Sequence, residues 1–194
     1  FVAQAELYRR DMCSVINLKE QFVFSKTVVR YAKNVDKQGF IYRKSEEWDV
    51  FWKEILVPEL DFYHHVLPVH NLEEIFYLSS KFRDNIHLYT VYSGNEMVGG
   101  TVLFIDKNVV HCQYISVKSK FREKKVLDFL FYKLIKEDFK DYDYFDFGIS
   151  NEENGRKTNM GLLYWKEGFG ARGVSQDFYK ISTQNFSLIE KMFL

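Results

Sequence analysis

The sequence predicts an α/β protein in which helices cover both faces of a mixed β-sheet. Two observations support this. Three apolar segments are joined by short turns of the kind that connect antiparallel strands. These are residues 86–92, 97–105 and 109–117, joined by Ser93-Gly94-Asn95 and Asp106-Lys107-Asn108. A helical pattern over residues 123–137 then leads to an apolar strand at 144–149, and a strand–helix–strand crossover adds a parallel strand to the sheet.

The composition is that of a folded globular domain. The chain has 194 residues, 46% of them hydrophobic and 28% charged, so it can bury a full core and is not a disordered protein. Its apolar runs, such as residues 102–105, are far shorter than the ~20 residues that span a bilayer. The cysteines, Cys13 and Cys112, form no CxxC pattern, which favours a reduced, cytoplasmic location.

The first 44 residues differ from the rest in charge. They hold nine Lys or Arg against four Asp or Glu, although the whole chain has a net charge of zero. Weak helical patterns over 3–18 and 25–37 predict a basic helical arm, followed by a short strand at 39–42. The arm is either a solvated helix surface or a docking surface for an acidic partner or RNA. Since the chain begins with Phe, we interpret residues 1–44 as a linker from a missing N-terminal unit and 45–194 as the main domain.

Two amphipathic helices precede the meander. Ser45 is a typical N-cap residue, and the apolar residues that follow it recur at helical spacing. They are Trp48, Phe51, Trp52, Ile55 and Leu56. Asn71 and Glu74 have the spacing of a capping box, which predicts a second helix reaching Phe82. Near the C-terminus, a glycine-rich helix and loop over 152–173 and a last strand at 174–182 complete the prediction.

A cluster of cations lies between the third meander strand and the next helix. Its members are Lys118, Lys120, Arg122, Lys124 and Lys125. Cations oppose the dipole at a helix N-terminus, and a bound phosphate would relieve the conflict. The cluster is therefore either an anion site or a solubility patch. No glycine occurs between residues 101 and 147, so a glycine-rich phosphate loop is not expected here.

Polar residues and glycines gather after the strand at 144–149, where open mixed sheets place their ligands. We expect a substrate to contact this region, unless it is only an irregular structural loop. The candidate residues are Glu152, Arg156, Asn159, Lys166, Glu167 and Phe169. Ser150 lies at the start of the region but lacks the GxSxG context of an activated nucleophile.

Histidine offers a candidate site on a central strand. His111 and Gln113 are two residues apart and therefore share a face, where they could orient a carbonyl or an amine. A buried structural histidine is the competing interpretation. The histidines near residue 64 lack HExxH spacing, so we expect no metal site.

Several strings in the sequence resemble those of one family. They are Leu67-Pro68-Val69-His70-Asn71-Leu72-Glu73-Glu74-Ile75, His111-Cys112-Gln113-Tyr114-Ile115-Ser116, Leu127-Asp128-Phe129-Leu130-Phe131, Phe145-Asp146-Phe147-Gly148-Ile149-Ser150 and Lys166-Glu167-Gly168-Phe169-Gly170-Ala171-Arg172. With the order of elements, they are similar to GNAT acyltransferases, and specifically to the FemAB-like branch that includes the aminoacyltransferases of peptidoglycan cross-bridges. The resemblance implies the GNAT acyl-CoA N-acyltransferase fold, with its mixed sheet and antiparallel meander.

The resemblance also implies transfer of an acyl or aminoacyl group to an amine, with no resident cofactor. The donor would be acyl-CoA or aminoacyl-tRNA, and the acceptor a cell-wall precursor or another amine-bearing small molecule. The implied catalytic residues are His111, Gln113, Tyr114 and Ser150. The implied donor-binding residues are Ser116, Lys118, Lys120, Arg122, Lys124 and Lys125.

Two departures from the family pattern leave a second interpretation open. Acetyl-CoA users carry a glycine-containing loop where this chain has residues 122–127, without glycine. FemAB-like enzymes also usually contain two GNAT-like units, and this chain has room for one. It is therefore either the C-terminal half of a two-unit enzyme or a degenerate, non-catalytic module that supports or docks a partner.

Overall fold

Seven strands form one mixed sheet in the computed structural model, which describes residues 2–190. The strands of this sheet are β1 (Glu6–Asn17), β2 (Ile41–Ser45), β3 (Ile86–Ser93), β4 (Glu96–Asp106), β5 (Val109–Val117), β6 (Tyr144–Ile149) and β9 (Arg172–Lys180). Two short strands, β7 (Asn151–Glu152) and β8 (Lys157–Thr158), pair separately as a small hairpin. Phe1, at the start of the predicted arm, and residues 191–194, at the end of the predicted main domain, lie outside the described residues.

The order of strands in the sheet is β2-β3-β4-β5-β6-β1-β9. Strands β3, β4 and β5 pair antiparallel in sequence, as their turn residues predict. Strand β6 arrives through a helical crossover and pairs parallel with β5, whereas β1 pairs antiparallel with both β6 and β9. The mixed sheet predicted from the sequence is confirmed.

Helices cover both faces of the sheet. They are α1 (Lys26–Lys37), α2 (Trp48–Phe51), α3 (Val57–His64), α4 (Leu72–Lys81), α5 (Val126–Lys133), α6 (Met160–Glu167) and α7 (Phe186–Glu190). A π-helical stretch, Trp52–Leu56, joins α2 to α3, and another, Leu134–Asp138, extends α5. Asn71 and Glu74 cap α4 reciprocally, with N–H···O distances of 2.8 and 2.9 Å, which is the predicted capping box. Among the described residues, no helix has the length and apolar character needed to cross a membrane.

Two hydrophobic clusters lie on opposite faces of the sheet because successive strand residues point to opposite sides. Val102 belongs to the cluster under α2 and α4, and Leu103 belongs to the cluster under α1 and α5. In the second cluster the rings of Phe131, Phe147 and Trp165 lie 5.1 to 5.7 Å apart. These contacts pack α5 and α6 against β6.

The helix predicted over residues 3–18 is wrong, because this segment contains strand β1, between β6 and β9. Charged residues interrupt the alternation of apolar and polar residues that would have predicted the strand. Asp11 is buried but ion-paired with Arg9 at 2.6 Å, and Arg10 bonds Asp177 on the neighbouring strand. The boundary predicted at residues 44 and 45 also falls inside β2. Residues 6–17 and 41–45 are therefore part of the sheet rather than a separate helical arm.

Candidate active site

The two parallel strands β5 and β6 separate partway along their length. They pair only over Val109–His111 and Tyr144–Asp146, and this pairing ends while β5 continues to Val117. The separation opens a cavity of about 1190 Å³ at the carboxyl end of the parallel pair. Ligands of open α/β sheets bind at such positions, where strand ends expose backbone groups that have lost their neighbours.

Irregular pairing bends both strands where they separate. Opposite β4, Val102 pairs with Tyr114 and Leu103 with Cys112, so Gln113 is an extra residue in β5. Between β1 and β6 a second register shift occurs beside Gly148, whose φ of 70° lies in the left-handed region. Glycine adopts this conformation without the strain that a side chain would cause. These bulges direct the two strands away from each other.

A histidine–aspartate pair lies where the separation begins. His111 and Asp146 are opposite each other in the register of β5 and β6, and both line the cavity. His111 Nδ1 is 2.8 Å from Asp146 Oδ2, while Asp146 Oδ1 accepts a hydrogen bond of 2.7 Å from the Gly148 N–H. Because a carboxylate only accepts hydrogen bonds, Asp146 favours the tautomer of His111 that carries its proton on Nδ1. Nε2 is then the nitrogen with a free lone pair.

The side chain of Lys166 supports the end of β6. It is 1% exposed, and its Nζ donates to the carbonyl oxygens of Gly148, at 3.0 Å, and Ile149, at 2.6 Å. Burial lowers the pKa of Lys166 from 10.5 to about 8. The lysine thus satisfies two carbonyl groups at the place where β6 has left β5, which stabilises the open arrangement.

Both cysteines line the cavity, together with the buried carboxyl of Asp128. Burial raises the pKa of Cys13 and, more strongly, that of Cys112, because a thiolate is poorly solvated there. Burial also raises the pKa of Asp128, in opposition to a hydrogen bond from Trp165. The thiols are therefore neutral, and a neutral thiol is a poor nucleophile.

The predicted cation cluster is divided by the fold. Arg122 and Lys125 line the cavity, whereas Lys118 and Lys120 both bond Glu96, at 3.1 and 2.9 Å. Lys124 is exposed and outside the cavity lining. The structure thus separates Lys118, Lys120 and Lys124 from the cavity, and their role in donor binding remains an untested prediction.

Arg122 and Lys125 are held at the edge of the cavity by different contacts. The guanidinium of Arg122 stacks 3.8 Å above the ring of Tyr63 and lies 3.4 Å from Glu59. Lys125 adopts φ 62° at the junction between the 3₁₀ turn Ser119–Lys124 and α5. The two cations flank the start of α5, which lies at the cavity wall through Val126, Leu127 and Asp128.

Gln113, a predicted catalytic residue, and Ser116, a predicted donor-binding residue, both line the cavity, whereas the predicted catalytic residues Tyr114 and Ser150 do not. The hydroxyl of Tyr114 lies 2.7 Å from His70 Nδ1 and belongs to the hydrophobic cluster on the opposite face. Ser150 is 1% exposed and its Oγ is 3.3 Å from that of Ser14. The structure thus places Tyr114 and Ser150 outside the cavity lining, and their catalytic roles remain untested predictions.

Of the six predicted substrate-binding residues after β6, Lys166 lines the cavity and the other five do not. Phe169 is fully buried in the core. Asn159 caps α6 and donates to Glu152 at 2.9 Å, outside the cavity. Arg156 and Glu167 are exposed on the surface. Across residues 2–190, no group of three or more His, Cys, Asp or Glu side chains could hold a metal ion.

Asp146 is a candidate site residue that the sequence interpretation missed. Its position in a strand gives no indication of a histidine partner, because the pair depends on the parallel register of β5 and β6. An acidic residue in an otherwise apolar strand was the available signal, since a carboxylate rarely occupies such a position without a partner.

Comparison with known proteins identifies a family to which the sequence matches. The profile of the family described as "Acetyltransferase (GNAT) domain" matches residues 38–159. FemX has a similar structure, with a TM-score of 0.71, 12% sequence identity and coverage of 95% of this chain and 65% of FemX. L-PGS from Bacillus licheniformis has a TM-score of 0.69 and 12% identity, with coverage of 98% of this chain and 66% of L-PGS.

The chain thus spans just under two thirds of the length of these two proteins. A search of curated protein sequences found no match. The family match covers more than half of the chain, including β5, β6 and the His111–Asp146 pair. The chain therefore belongs to the GNAT acetyltransferase domain family.

Proposed function

We propose that this chain transfers an acyl or aminoacyl group from an activated ester or thioester to an amine bound in the cavity between β5 and β6. The observation that carries the proposal is the His111–Asp146 pair, with a nitrogen–oxygen distance of 2.8 Å, at the point where the strands separate. The pair provides a base beside a cavity large enough for two reactants, since small-molecule sites usually measure about 300–1,000 Å³.

In the proposed reaction, the neutral amine of the acceptor attacks the carbonyl carbon of the donor. A C–N bond forms, and His111 Nε2 takes the proton that the nitrogen loses. The tetrahedral intermediate then collapses with cleavage of the C–O or C–S bond, and the departing alcohol or thiol takes a proton from the imidazolium. Asp146 keeps the ring oriented and stabilises its positive form. General base catalysis of this kind contributes about 10²–10⁴-fold.

Strand β5 supports the proposed position of the donor. From Cys112 to Val117 it runs along the cavity without pairing to β6, so backbone groups on this edge can bond an extended donor. Such bonds can also polarise the carbonyl group of the donor. Arg122 and Lys125 lie at the same cavity, where their charges suit donor phosphates.

We further propose that the enzyme is FemAB-like and that this chain forms the C-terminal half of a two-unit protein. The FemAB-like strings and the partial coverage of FemX and L-PGS support this proposal. The acceptor would then be an amine of a cell-wall precursor or another small molecule. The degenerate, non-catalytic alternative is less well supported, because the cavity and its His–Asp pair are intact.

The test is a donor and acceptor screen followed by mass spectrometry. The full gene product is incubated with acyl-CoAs or aminoacyl-tRNAs and with amine acceptors, and a His111→Gln protein is the control. The proposal predicts an amide product that depends on His111. Absence of a product with every donor in both classes would count against transferase activity, and an equal yield with His111→Gln would remove the proposed base.

A further inference from the structure

Three carboxylates of the described residues, 2–190, line the cavity, and two of them have a basic partner. Glu59 lies 3.4 Å from the guanidinium of Arg122, and Asp146 lies 2.8 Å from the imidazole of His111. The third is Asp128, for which no ion pair occurs in this part of the chain. A buried carboxylate is costly unless it has a counter-charge or hydrogen bonds. Among these three acids, Asp128 is thus the one without a basic partner.

Asp128 is 6% exposed and lies in the first turn of α5. The indole N–H of Trp165 donates to its carboxylate, and so does its own backbone N–H. An ionised carboxylate has about four acceptor positions, so about half of them remain free. Because the side chain lines the cavity, these free positions are open to a ligand there.

The nearby cation Lys125 does not neutralise Asp128 by direct contact. Its Nζ lies over the ring of Tyr31, 5.8 Å from the ring centre, and its charge acts on Asp128 only through space. Burial raises the pKa of Asp128, as expected for a carboxylate without an adjacent counter-charge. The dipole of α5 favours an acid in its first turn, but an exposed side chain would serve the helix equally well. Helix stability therefore does not explain why this carboxylate is buried at the cavity wall.

Trp165 gives the same part of the cavity a fixed aromatic ring. It is half-buried and lines the cavity. Its ring centre lies 5.6 Å from that of Phe131, 5.7 Å from that of Phe147 and 5.2 Å from that of Phe169. These contacts hold the indole in place beside Asp128. A carboxylate and an indole ring attract the same kind of ligand group, because a cation forms an ion pair with the first and a cation–π contact with the second.

We propose that Asp128 and Trp165 form an ammonium subsite, which binds a positively charged amine of a substrate that is not the amine that reacts. This inference rests on the proposed transferase function and adds a residue that determines its specificity. Two sources could supply the ammonium group: an amino group on the acyl group that is transferred, or a second amine on the acceptor. The subsite would then favour amino-substituted acyl donors over plain ones, or diamines over monoamines.

An ammonium group fits the subsite better than a metal ion, a phosphate or a neutral group. Across residues 2–190, no group of three or more His, Cys, Asp or Glu side chains could hold a metal, and Asp128 alone offers too few ligands. A phosphate would be repelled by the carboxylate. A neutral hydroxyl could donate to Asp128, but it would not supply the missing counter-charge, and hydrogen bonds between charged groups are about twice as strong.

The experiment measures binding to the full gene product by isothermal titration calorimetry, without any reaction. The probes are leucine amide and two analogues in which a hydroxyl group or a hydrogen atom replaces the ammonium group. Asp128→Asn removes the charge and keeps an oxygen that can accept from Trp165. Asp128→Ser is a second variant, because Ser is also well tolerated at the start of a helix. Asp49→Asn is the matched control, since Asp49 lies in the first turn of α2 and is exposed outside the cavity.

The unmodified protein and Asp49→Asn should bind leucine amide at least about tenfold more tightly than either neutral analogue, because a charge-assisted hydrogen bond is gained. In Asp128→Asn and Asp128→Ser this preference should fall below about twofold, while thermal unfolding shows that the variants are folded. A preference that persists in both variants would overturn the proposal. So would a lack of preference in the unmodified protein, including equal binding of the hydroxyl analogue.

Transfer assays identify the source of the ammonium group and separate this inference from the proposed function. One pair of donors is a leucyl thioester and its analogue without the amino group, and one pair of acceptors is a diamine and the matching monoamine. Asp128→Asn should lower kcat/KM by about tenfold or more only for the member of one pair that carries the extra ammonium. An equal loss for all four substrates would overturn the subsite. An ammonium preference that depends on Asp128, with no transfer from any donor, would support the subsite and contradict the transferase proposal.

Discussion

His111 on β5 lies directly opposite Asp146 on β6, with Nδ1 and Oδ2 2.8 Å apart. This is the last registered pair before the two strands separate. The position matters because the paired backbone on one side holds both side chains, and the cavity on the other side leaves room for substrates. The fold thus places a histidine–aspartate pair at the edge of a gap between strands.

Replacement of Asp146 by Asn should slow the reaction by about a hundredfold or more, because an amide can donate to Nδ1 and stabilise the wrong tautomer. The Asn oxygen can still accept the Gly148 N–H, so the backbone should keep its shape. Steady-state kinetics should show a lower kcat with little change in KM, and thermal unfolding serves as the control. A kcat within about threefold of the original value would argue against a role for the tautomer.

The divided cation cluster gives a matched pair of variants. Arg122→Ala with Lys125→Ala should raise the KM for a phosphate-bearing donor by about tenfold, because charge-assisted hydrogen bonds to phosphate are lost. Lys118→Ala with Lys120→Ala should leave it within about twofold, since both lysines are bound to Glu96 outside the cavity. Equal effects of the two double variants, measured by initial rates, would mean that the cavity boundary does not define the donor site.

Gly148→Ala should impair both stability and activity. At φ 70°, a side chain costs about 1–2 kcal/mol, and the new Cβ would lie 3.4 Å from His111 Cε1. Gly94→Ala is the control, because Gly94 has φ 59° but no atom within 4 Å of the added Cβ. Thermal unfolding should show similar losses for both variants. Only Gly148→Ala should also lower kcat, and an equal loss of kcat in Gly94→Ala would contradict this account.

Lys166 makes stability depend on pH in a definite direction. Burial lowers its pKa in the folded protein to about 8, below the ordinary value of 10.5. Between these two values the unfolded chain binds more protons, so this group makes the folded state more stable as the pH rises. The free energy of unfolding should rise by roughly 3 kcal/mol across this range. No further change from this group is expected above its pKa in the unfolded chain.

Denaturant unfolding of the original protein and of Lys166→Met tests this effect. The variant should be less stable overall by about 2–4 kcal/mol, because the carbonyls of Gly148 and Ile149 lose their donor. The difference in unfolding free energy between the two proteins should widen from pH 7 to pH 10. A difference that stays constant or narrows would show that Lys166 is not held in a desolvated position.

Local patterns predicted much of the fold. The meander follows from turn residues near Gly94 and Asn108, and α4 follows from the capping box of Asn71 and Glu74, since both signals act over a few residues. Strand β1 was missed because its charged residues are satisfied by distant partners such as Asp177, and sequence periodicity does not reveal such pairings.

The site was predictable only in part. His111 and Gln113 were identified because a strand places them on one side, and the structure brings both to the cavity. The pairing of His111 with Asp146 depends on which strands are neighbours and in what register, and this information is not local. Likewise, Lys118 and Arg122 have the same charge in the sequence, and only the position of Glu96 and Glu59 around them separates their roles.

The central claim is that His111 accepts the proton of the attacking amine. Single-turnover transfer by His111→Gln, with the donor bound at saturation, tests it most directly because substrate binding and product release do not limit the rate. The account predicts transfer slower by about 10²–10⁴-fold with unchanged donor affinity. A single-turnover rate within about threefold of the unmodified protein would contradict it, whatever the effect on steady-state KM.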